Sequence, residues 1–359
     1  QAFSRRAADW EKKIAELSPD RVYLDAQCAL RTALYHKLEI PVVLVETMPL
    51  SLYDPWVPPF TSGLIPKQTG ISRLGIRLAW EKIVIARKIR NLFFSMLLCR
   101  QDYFSLYKRL FLECGFPFEE KIDWRRPFII GIKESKILSM NPSSLDFPRK
   151  YPPNCQYEPS RVDLNREDPM LNRRYARVME EVCLQKQQRP DTKIIYCFSS
   201  TVMGFEKRSK IIFMKIRDIC LRNPQFVFIL SVGKYHNTSY LLPCPSNLYV
   251  FQQVPQLHLL SYCDLMITSG GMNSIAECIE KEVPMLVCPL SLKSDQLGNS
   301  ARVVYHGLGL RARIKLDSSR TIEKRIVQLF ENYATFKRNL SMMRTKILAE
   351  STAINTEVI

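Results

Sequence analysis

The feature that most constrains the fold is a regular alternation of apolar runs and helical segments between residues 193 and 306. Runs of four to six mostly apolar residues predict strands at 193–198, 226–230, 248–251, 265–268 and 285–288. Helices are predicted between and after them at 207–222, 256–261, 273–281 and 295–306. Because strands that alternate with helices form a parallel sheet with helices on both faces, this half of the chain predicts a doubly wound α/β domain.

The first half of the chain predicts another α/β domain. A strand at 21–25, a helix at 29–38 and a strand at 41–45 form a βαβ unit, which requires parallel strands. A further strand is expected at 136–140, and the proline-rich stretch 141–168 is predicted to be the linker between the domains. The last helix, at about 331–350, is expected to pack back on the first domain.

A long helical region is predicted at 71–114, between the strand at 41–45 and the strand at 136–140 of the first domain. Apolar residues recur there at helical spacing, as shown by Leu74, Leu78, Ile85, Ile89 and Leu92. The open interpretations are a helix packed on its own domain, or a helix that either lies on the surface with peripheral membrane contact or acts as a lid. The first is favoured, since amphipathicity is what any surface helix shows.

Charge and cysteine usage exclude several classes of protein. The formal net charge is +17, but no helix-turn-helix, zinc finger or aromatic RNA-binding motif is present, so we expect no nucleic-acid partner. The eleven cysteines are scattered without C-x-x-C pairs, which favours a reducing, cytoplasmic location. The four histidines are isolated, so we expect no metal site.

Small and polar residues follow three of the strands in the second domain. They are Ser199, Ser200 and Thr201 after the first, Ser269, Gly270, Gly271, Asn273, Ser274 and Glu277 after the fourth, and Asp295 and Gln296 after the fifth. Ligands of such sheets bind at the carboxyl ends of the strands. Two glycines followed directly by a helix let unpaired N–H groups approach a diphosphate. An ordinary N-cap and tight turn is the competing interpretation.

Residues 254–277, from Val254-Pro255-Gln256 to Ile275-Ala276-Glu277, resemble the donor-binding signature of the UDP-glycosyltransferase family. The similarity continues to Gly309 and covers about the whole second domain. The resemblance implies the α/β fold called GT-B, in which two Rossmann-like doubly wound domains face each other across a cleft. We expect an acceptor-side domain at 1–160 with a helical insertion at about 71–115, a donor-binding domain at 161–334, and a final helix at 335–359.

The family's residue roles carry over to matching positions of this sequence. The resemblance implies donor contacts from Ser200, Thr201, Val254, Gln256, Ser269, Gly270, Gly271, Asn273, Ser274, Glu277, Asp295 and Gln296. Among them, Val254 and Gln256 would border the nucleobase, and Glu277 would bind the ribose. Asp295 and Gln296 would bind the transferred sugar. Asp25 falls where some members orient the catalytic histidine, although a strand-end carboxylate without a partner is an equal alternative.

Several positions depart from the family pattern. Ser269 stands where a histidine usually contacts the diphosphate, Ser199 replaces a glycine, and Gln253 replaces an aromatic residue that often stacks on uracil. No histidine before Asp25 corresponds to the family's base. The chain begins at Gln1 rather than Met, and we expect the first domain to be incomplete, with the base upstream.

The resemblance implies metal-independent, inverting transfer of a hexose from a nucleotide-diphosphate sugar, in particular a UDP-sugar, without a cofactor. The acceptor is expected to be a lipophilic small molecule such as a carotenoid, polyphenol, polyketide or sterol. Two alternatives stay open. One is a nucleotide-sugar-binding protein without catalysis, which Ser269 and the missing base suggest. The other is a membrane-associated transferase acting on a lipid carrier, which the basic helices suggest.

Overall fold

A computed structural model describes residues 2–127, 131–150, 152–159, 162–166, 172–198, 206–234 and 237–354. The chain divides into two compact units. The first comprises residues 1–59 and 66–160, and the second comprises Phe60–Ile65 and Arg161–Ile359. The chain thus leaves the first unit at Phe60 and returns to it at Pro66.

The first unit is built on a parallel sheet of four strands in the order β1-β2-β3-β4. Its elements are α1 (Ala2–Leu17), β1 (Val22–Asp25), a 3-10 helix (Ala26–Arg31), α2 (Thr32–Lys37), β2 (Val42–Glu46), α3 (Gly70–Leu97), α4 (Tyr103–Glu113), α5 (Phe118–Lys121), β3 (Lys136–Ser139), a 3-10 turn (Ser143–Leu145) and β4 (Cys155–Tyr157). Val22 of β1 pairs with Val42 of β2, as the predicted βαβ unit requires.

One sequence prediction for this unit is wrong. The stretch 141–168 was assigned to the linker, but it contains β4, which pairs parallel with β3. Pro152 and Pro153 come before the strand rather than inside it. The strand lies at the end of the sheet, where it bonds to one neighbour and where nearby prolines are tolerated.

The second unit is built on six parallel strands in the order β10-β9-β8-β5-β6-β7. Its elements are α6 (Arg173–Gln188), β5 (Lys193–Phe198), α7 (Glu206–Arg222), β6 (Phe226–Ser231), a 3-10 turn (Ser239–Leu241), β7 (Leu248–Phe251), α8 (Gln256–Leu260), β8 (Leu265–Thr268), α9 (Met272–Glu280), β9 (Met285–Val287), α10 (Gln296–Tyr305), β10 (Gly309–Arg311), α11 (Ser319–Glu331) and α12 (Tyr333–Ile354).

The strand order of the second unit contains one topological switch point. From β5 the chain adds β6 and β7 on one side, and then crosses to add β8, β9 and β10 on the other. The switch point therefore lies at the carboxyl ends of β5 and β8, the place where sheets of this kind bind ligands. The core beneath it is fully buried, with Ile195, Phe213, Phe228, Leu265 and Leu286 each 0% exposed.

The last two helices pack within the second unit. Arg344 of α12 bonds Glu280 of α9 at 2.7 Å, and the Asn339 amide donates to the Gly307 carbonyl oxygen at 3.0 Å. The predicted helix at 331–350 corresponds to α12, and α11 before it was not predicted. Packing of this helix on the first domain stays a prediction.

Candidate functional site

The switch point of the second sheet is bordered by the turn between β8 and α9. Strand β8 ends at Thr268, and Ser269, Gly270 and Gly271 lead directly into α9 at Met272. Ser269 is buried, and the Thr268 hydroxyl accepts a hydrogen bond from the Gly270 N–H at 3.3 Å. The structure therefore brings the predicted Ser269-Gly270-Gly271 turn to the strand end at which this fold binds ligands.

The two glycines of the turn differ in backbone conformation and in the space around the Cα atom. Gly270 has a φ of +89°, and a Cβ at this position would lie 2.7 Å from Cγ1 of Val287 and 3.3 Å from the Gln296 carbonyl oxygen. Its own packing against β9 and α10 thus excludes a side chain. Gly271 has a φ of −66°, and a Cβ there would meet no atom of the described residues within 4 Å. Among the residues that the structure describes, none fills the space beside Gly271.

The N-terminus of α9 carries the features of an anion site. Gly271 is its N-cap and has no side chain to cap the helix, so the first N–H groups are not bonded by the cap residue. The helix dipole places partial positive charge at the same end. Asn273 is exposed in the first turn, and Ser274 beside it is buried. A diphosphate suits this arrangement of backbone donors.

Glu277, one turn farther along α9, is engaged by protein side chains through both carboxylate oxygens. Its Oε2 accepts from Nε2 of Gln256 at 2.7 Å, and its Oε1 accepts from Nη1 of Arg166 at 2.8 Å. Gln256 also donates to the Ser274 hydroxyl at 3.3 Å and accepts from the Tyr196 hydroxyl at 3.0 Å. The predicted residues Gln256, Ser274 and Glu277 therefore form one connected network.

Sequence reasoning missed Arg166 and Tyr196 in this network. Arg166 precedes Glu277 by 111 positions and lies in the stretch predicted to be linker, so no local pattern links the two. Tyr196 lies inside the apolar run of β5, where its hydroxyl is the one signal that it needs a polar partner. The side chain of Arg166 is 41% exposed, so an incoming ligand can displace it from Glu277.

Asp295 and Gln296 lie together at the start of α10, but their hydrogen bonds differ. The side-chain oxygen of Gln296 accepts from the backbone N–H groups of Leu290 at 2.9 Å and Ser291 at 2.8 Å, so it holds the loop after β9. A hydrogen bond from Gln296 to a sugar would be donated by its amide nitrogen. Asp295 accepts from the Asn299 amide at 2.8 Å, and burial raises its pKa above the ordinary value for aspartate.

The remaining predicted residues have separate positions. Val254 is buried just before α8, next to Gln256. Ser200 and Thr201 lie outside the described residues. In the first unit, Asp25 ends β1, and its carboxylate accepts from the Gln27 N–H at 2.7 Å as the cap of the following 3-10 helix. Within the described part of the chain, no group of three or more His, Cys, Asp or Glu side chains could hold a metal ion.

Comparisons with known proteins point to one family. Residues 237–349 match the model of the family described as "UDP-glucoronosyl and UDP-glucosyl transferase". The NDP-glycosyltransferase YjiC of Bacillus subtilis is 37% identical over 98 residues, which cover 27% of this chain and 24% of that protein. A zeaxanthin glucosyltransferase of Pseudescherichia vulneris is 28% identical over 212 residues, which cover 56% of this chain and 44% of that protein. The alignments thus span less than half the length of these relatives.

A solved structure extends the likeness in fold to nearly the whole chain. The glycotransferase of kitacinnamycin superposes with a TM-score of 0.62 at 18% sequence identity, covering 96% of this chain and 76% of that one. The matched family segment contains the turn at Gly270 and Gly271, α9 and the Asp295 loop. Residues 237–349 are thus similar to the UDP-glycosyltransferase family, and the two units have the parallel α/β architecture of the GT-B fold.

Proposed function

We propose that the protein transfers a hexose from a nucleotide-diphosphate sugar, in particular a UDP-sugar, to a hydroxyl group with inversion. The observation that carries this proposal is the open N-terminus of α9 at the switch point of the second sheet. The family match across the same residues and the glycosyltransferase activity named for the relatives support it.

The reaction needs stabilisation of a leaving nucleoside diphosphate. The acceptor oxygen forms a bond to the anomeric carbon while the bond from that carbon to the β-phosphate oxygen breaks, and the electron pair stays on the phosphate. Backbone N–H groups at the start of α9 are already oriented toward this growing charge, so little reorganisation is needed. Ser269 can add one hydrogen bond but no positive charge. We infer that the helix N-terminus carries most of this stabilisation.

The donor's ribose and sugar would bind to acidic residues on either side of this turn. Glu277 would accept hydrogen bonds from ribose hydroxyls, after Arg166 has given up its 2.8 Å contact with Oε1. Gln256 would stay as the partner of the other oxygen and hold the carboxylate in place. Asp295 would accept from hydroxyls of the transferred sugar. Val254 beside Gln256 would border the nucleobase.

We infer a lipophilic small-molecule acceptor. The relative from Pseudescherichia vulneris is named for zeaxanthin, an apolar acceptor, and the proline- and aromatic-rich segment 55–60 of this chain suits one. The acceptor hydroxyl must lose its proton to a base, typically a gain of about 10²–10⁴ in rate. We propose that Asp25 orients that base, a histidine in this family.

We further infer that the protein works in a reducing compartment such as the cytoplasm. All eleven cysteines are free thiols, and six of them are buried in the cores of the units. Burial raises the pKa of Cys288 to about 12, so this thiol stays protonated and unreactive. Cysteines that are buried as protonated thiols form no disulfides, so they need no oxidising environment.

The test uses an added carboxylate at the N-terminus of α9. In Gly271→Asp the added Cβ would meet no atom of the described residues within 4 Å, and aspartate is a good N-cap, so the fold should be kept. The carboxylate would occupy the N–H groups and repel a diphosphate. We expect UDP affinity, measured by calorimetry, to fall about 10- to 100-fold, because charge-assisted hydrogen bonds are each worth about 1.5–3 kcal/mol.

The matched control is Gly70→Asp at the first residue of α3, where a Cβ also meets no atom within 4 Å. It should leave UDP affinity unchanged. Unaltered UDP binding by Gly271→Asp would refute the placement of the diphosphate. If the full-length protein binds UDP-sugars but neither transfers nor hydrolyses the sugar, the transferase is refuted and a nucleotide-sugar-binding protein remains.

A further inference from the structure

Helix α3 of the first unit has two apolar faces, and one of them packs inside the unit. Ile76 and Trp80 are 2% and 1% exposed, and the Trp80 indole N–H donates to the Val57 carbonyl oxygen at 2.9 Å. Arg87 is buried on the same face, bonded to the carbonyl oxygen of Arg126, and burial lowers its pKa to about 10. This face anchors the helix.

The opposite face of α3 is also apolar, and it is exposed. Seven large residues on it, which we call the apolar stripe, are between 54% and 86% exposed: Ile71, Leu74, Leu78, Ile85, Ile89, Leu92 and Met96. At about 100° per residue they fall within a sector of roughly 60°, centred about 180° from the buried face. A one-sided surface helix would carry polar residues there, so the stripe calls for an apolar environment.

Cationic side chains border the apolar stripe on both sides. On the same helical projection, Lys88 and Arg77 lie about 40° and 60° beyond one edge of the stripe, and Lys82 lies about 20° beyond the other. Helix α3 contains six lysine and arginine residues and a single acidic residue, Glu81. Long cationic side chains beside an apolar stripe can bind the phosphate groups of lipids, while the apolar side chains enter the acyl region of the bilayer.

We propose that the apolar stripe of α3 lies flat on an anionic lipid surface. Its length suits this placement, because 28 residues extend for about 42 Å. In the described part of the chain, no helix combines the length and hydropathy that crossing a bilayer demands. A second copy of the chain fits less well, since two such helices would bring their cationic edges together. The proposal is independent of the transferase activity.

Vesicle sedimentation tests this proposal on the full-length protein. The probe is vesicles of phosphatidylcholine with roughly one-quarter phosphatidylglycerol, compared with phosphatidylcholine alone. We expect binding to the anionic vesicles at about 50 mM salt and at least tenfold weaker binding at about 500 mM, because salt screens the cationic edges. The triple variant Leu74→Gln/Leu78→Gln/Ile85→Gln removes three side chains from the stripe.

The triple variant should weaken vesicle binding about 100-fold or more, since each buried aliphatic side chain contributes roughly tenfold. These residues are exposed, so folding should be unaffected. The control replaces three exposed leucines of the second unit by glutamine, Leu184, Leu221 and Leu316, and should bind as the parent does. Failure to bind anionic vesicles at low salt overturns the proposal. So does binding that the triple variant leaves intact, or a dimer in light scattering that the triple variant converts to a monomer.

Discussion

Replacing Gly270 by alanine should destabilise the second unit through packing alone. The residue has a φ of +89°, and an alanine Cβ would lie 2.7 Å from Cγ1 of Val287 in the neighbouring strand β9. The Gln296 carbonyl oxygen, at 3.3 Å, limits movement in another direction. The Asn299 amide also holds the Gly270 carbonyl oxygen at 2.9 Å, so the turn cannot shift without losing this bond.

Two terms set the size of the effect. A non-glycine residue at such a φ costs about 1–3 kcal/mol, and overpacking by a methyl group costs about 1–3 kcal/mol where the neighbours yield in part. We therefore expect a loss of roughly 2–6 kcal/mol in the free energy of unfolding. For a unit of about two hundred residues, each kcal/mol lowers Tm by about 2–4 °C, so calorimetry should record a decrease of about 4–24 °C.

Gly271→Ala is the matched control one residue away. Its φ is −66° and its Cβ position is open, so alanine should change Tm by less than about 2 °C. If Gly270→Ala melts within about 1 °C of the parent protein, or if Gly271→Ala is equally destabilising, the assignment of packing to the first glycine and ligand space to the second is wrong.

Three further predictions concern charged side chains. Arg166→Ala should tighten UDP binding about two- to fivefold in calorimetry, because it frees the buried Glu277 from an ion pair with a 41% exposed arginine, worth about 0.2–1 kcal/mol. Weaker binding would contradict this. Glu46→Gln should cost about 3–5 kcal/mol in chemical denaturation, because it leaves the buried Arg126 without its counter-charge. A Glu46→Met/Arg126→Met double variant should recover part of that loss, and a double variant less stable than the single one would refute the reasoning. Burial raises the pKa of Asp295, so the stability that this group supports is present at low pH and lost as pH rises through the folded-state pKa. Asp295→Asn should therefore raise Tm more at neutral pH than near about pH 4, while lowering sugar transfer, and a gain that shrinks with rising pH would count against it.

Five of the six strands of the second unit are predicted from the sequence, and one three-residue edge strand in each unit is missed. Each of the five predicted strands is present within a residue of its expected bounds. Strands that are buried on both faces consist of continuous apolar residues, so they can be recognised locally. The missed strands, β4 (Cys155–Tyr157) and β10 (Gly309–Arg311), are three residues long and lie at sheet edges, where pairing with one neighbour decides the structure.

A helix start that could have been recognised was also missed. Ser318 caps α11 by accepting from the Thr321 N–H at 3.2 Å, and buried residues follow at helical spacing at Ile322, Ile326 and Leu329. A serine before such a pattern predicts a helix N-terminus. By contrast, the exposure of the apolar face of α3 could not be known from its periodicity. Both faces of α3 carry apolar residues at helical spacing, so the sequence pattern does not show which of them packs inside the unit.

The parallel α/β class, the turn at Gly270 and Gly271, and the resemblance of the second unit to one family follow from the sequence alone. Only the tertiary structure shows that Gly270 is needed for packing and that Gln296 bonds the backbone of the loop after β9. It also shows that Arg166 donates a hydrogen bond to Glu277. The physical reason is the range of the interactions. Strand and turn formation depends on neighbouring residues, whereas the partner of a buried carboxylate is set by how the chain returns, here across 111 positions.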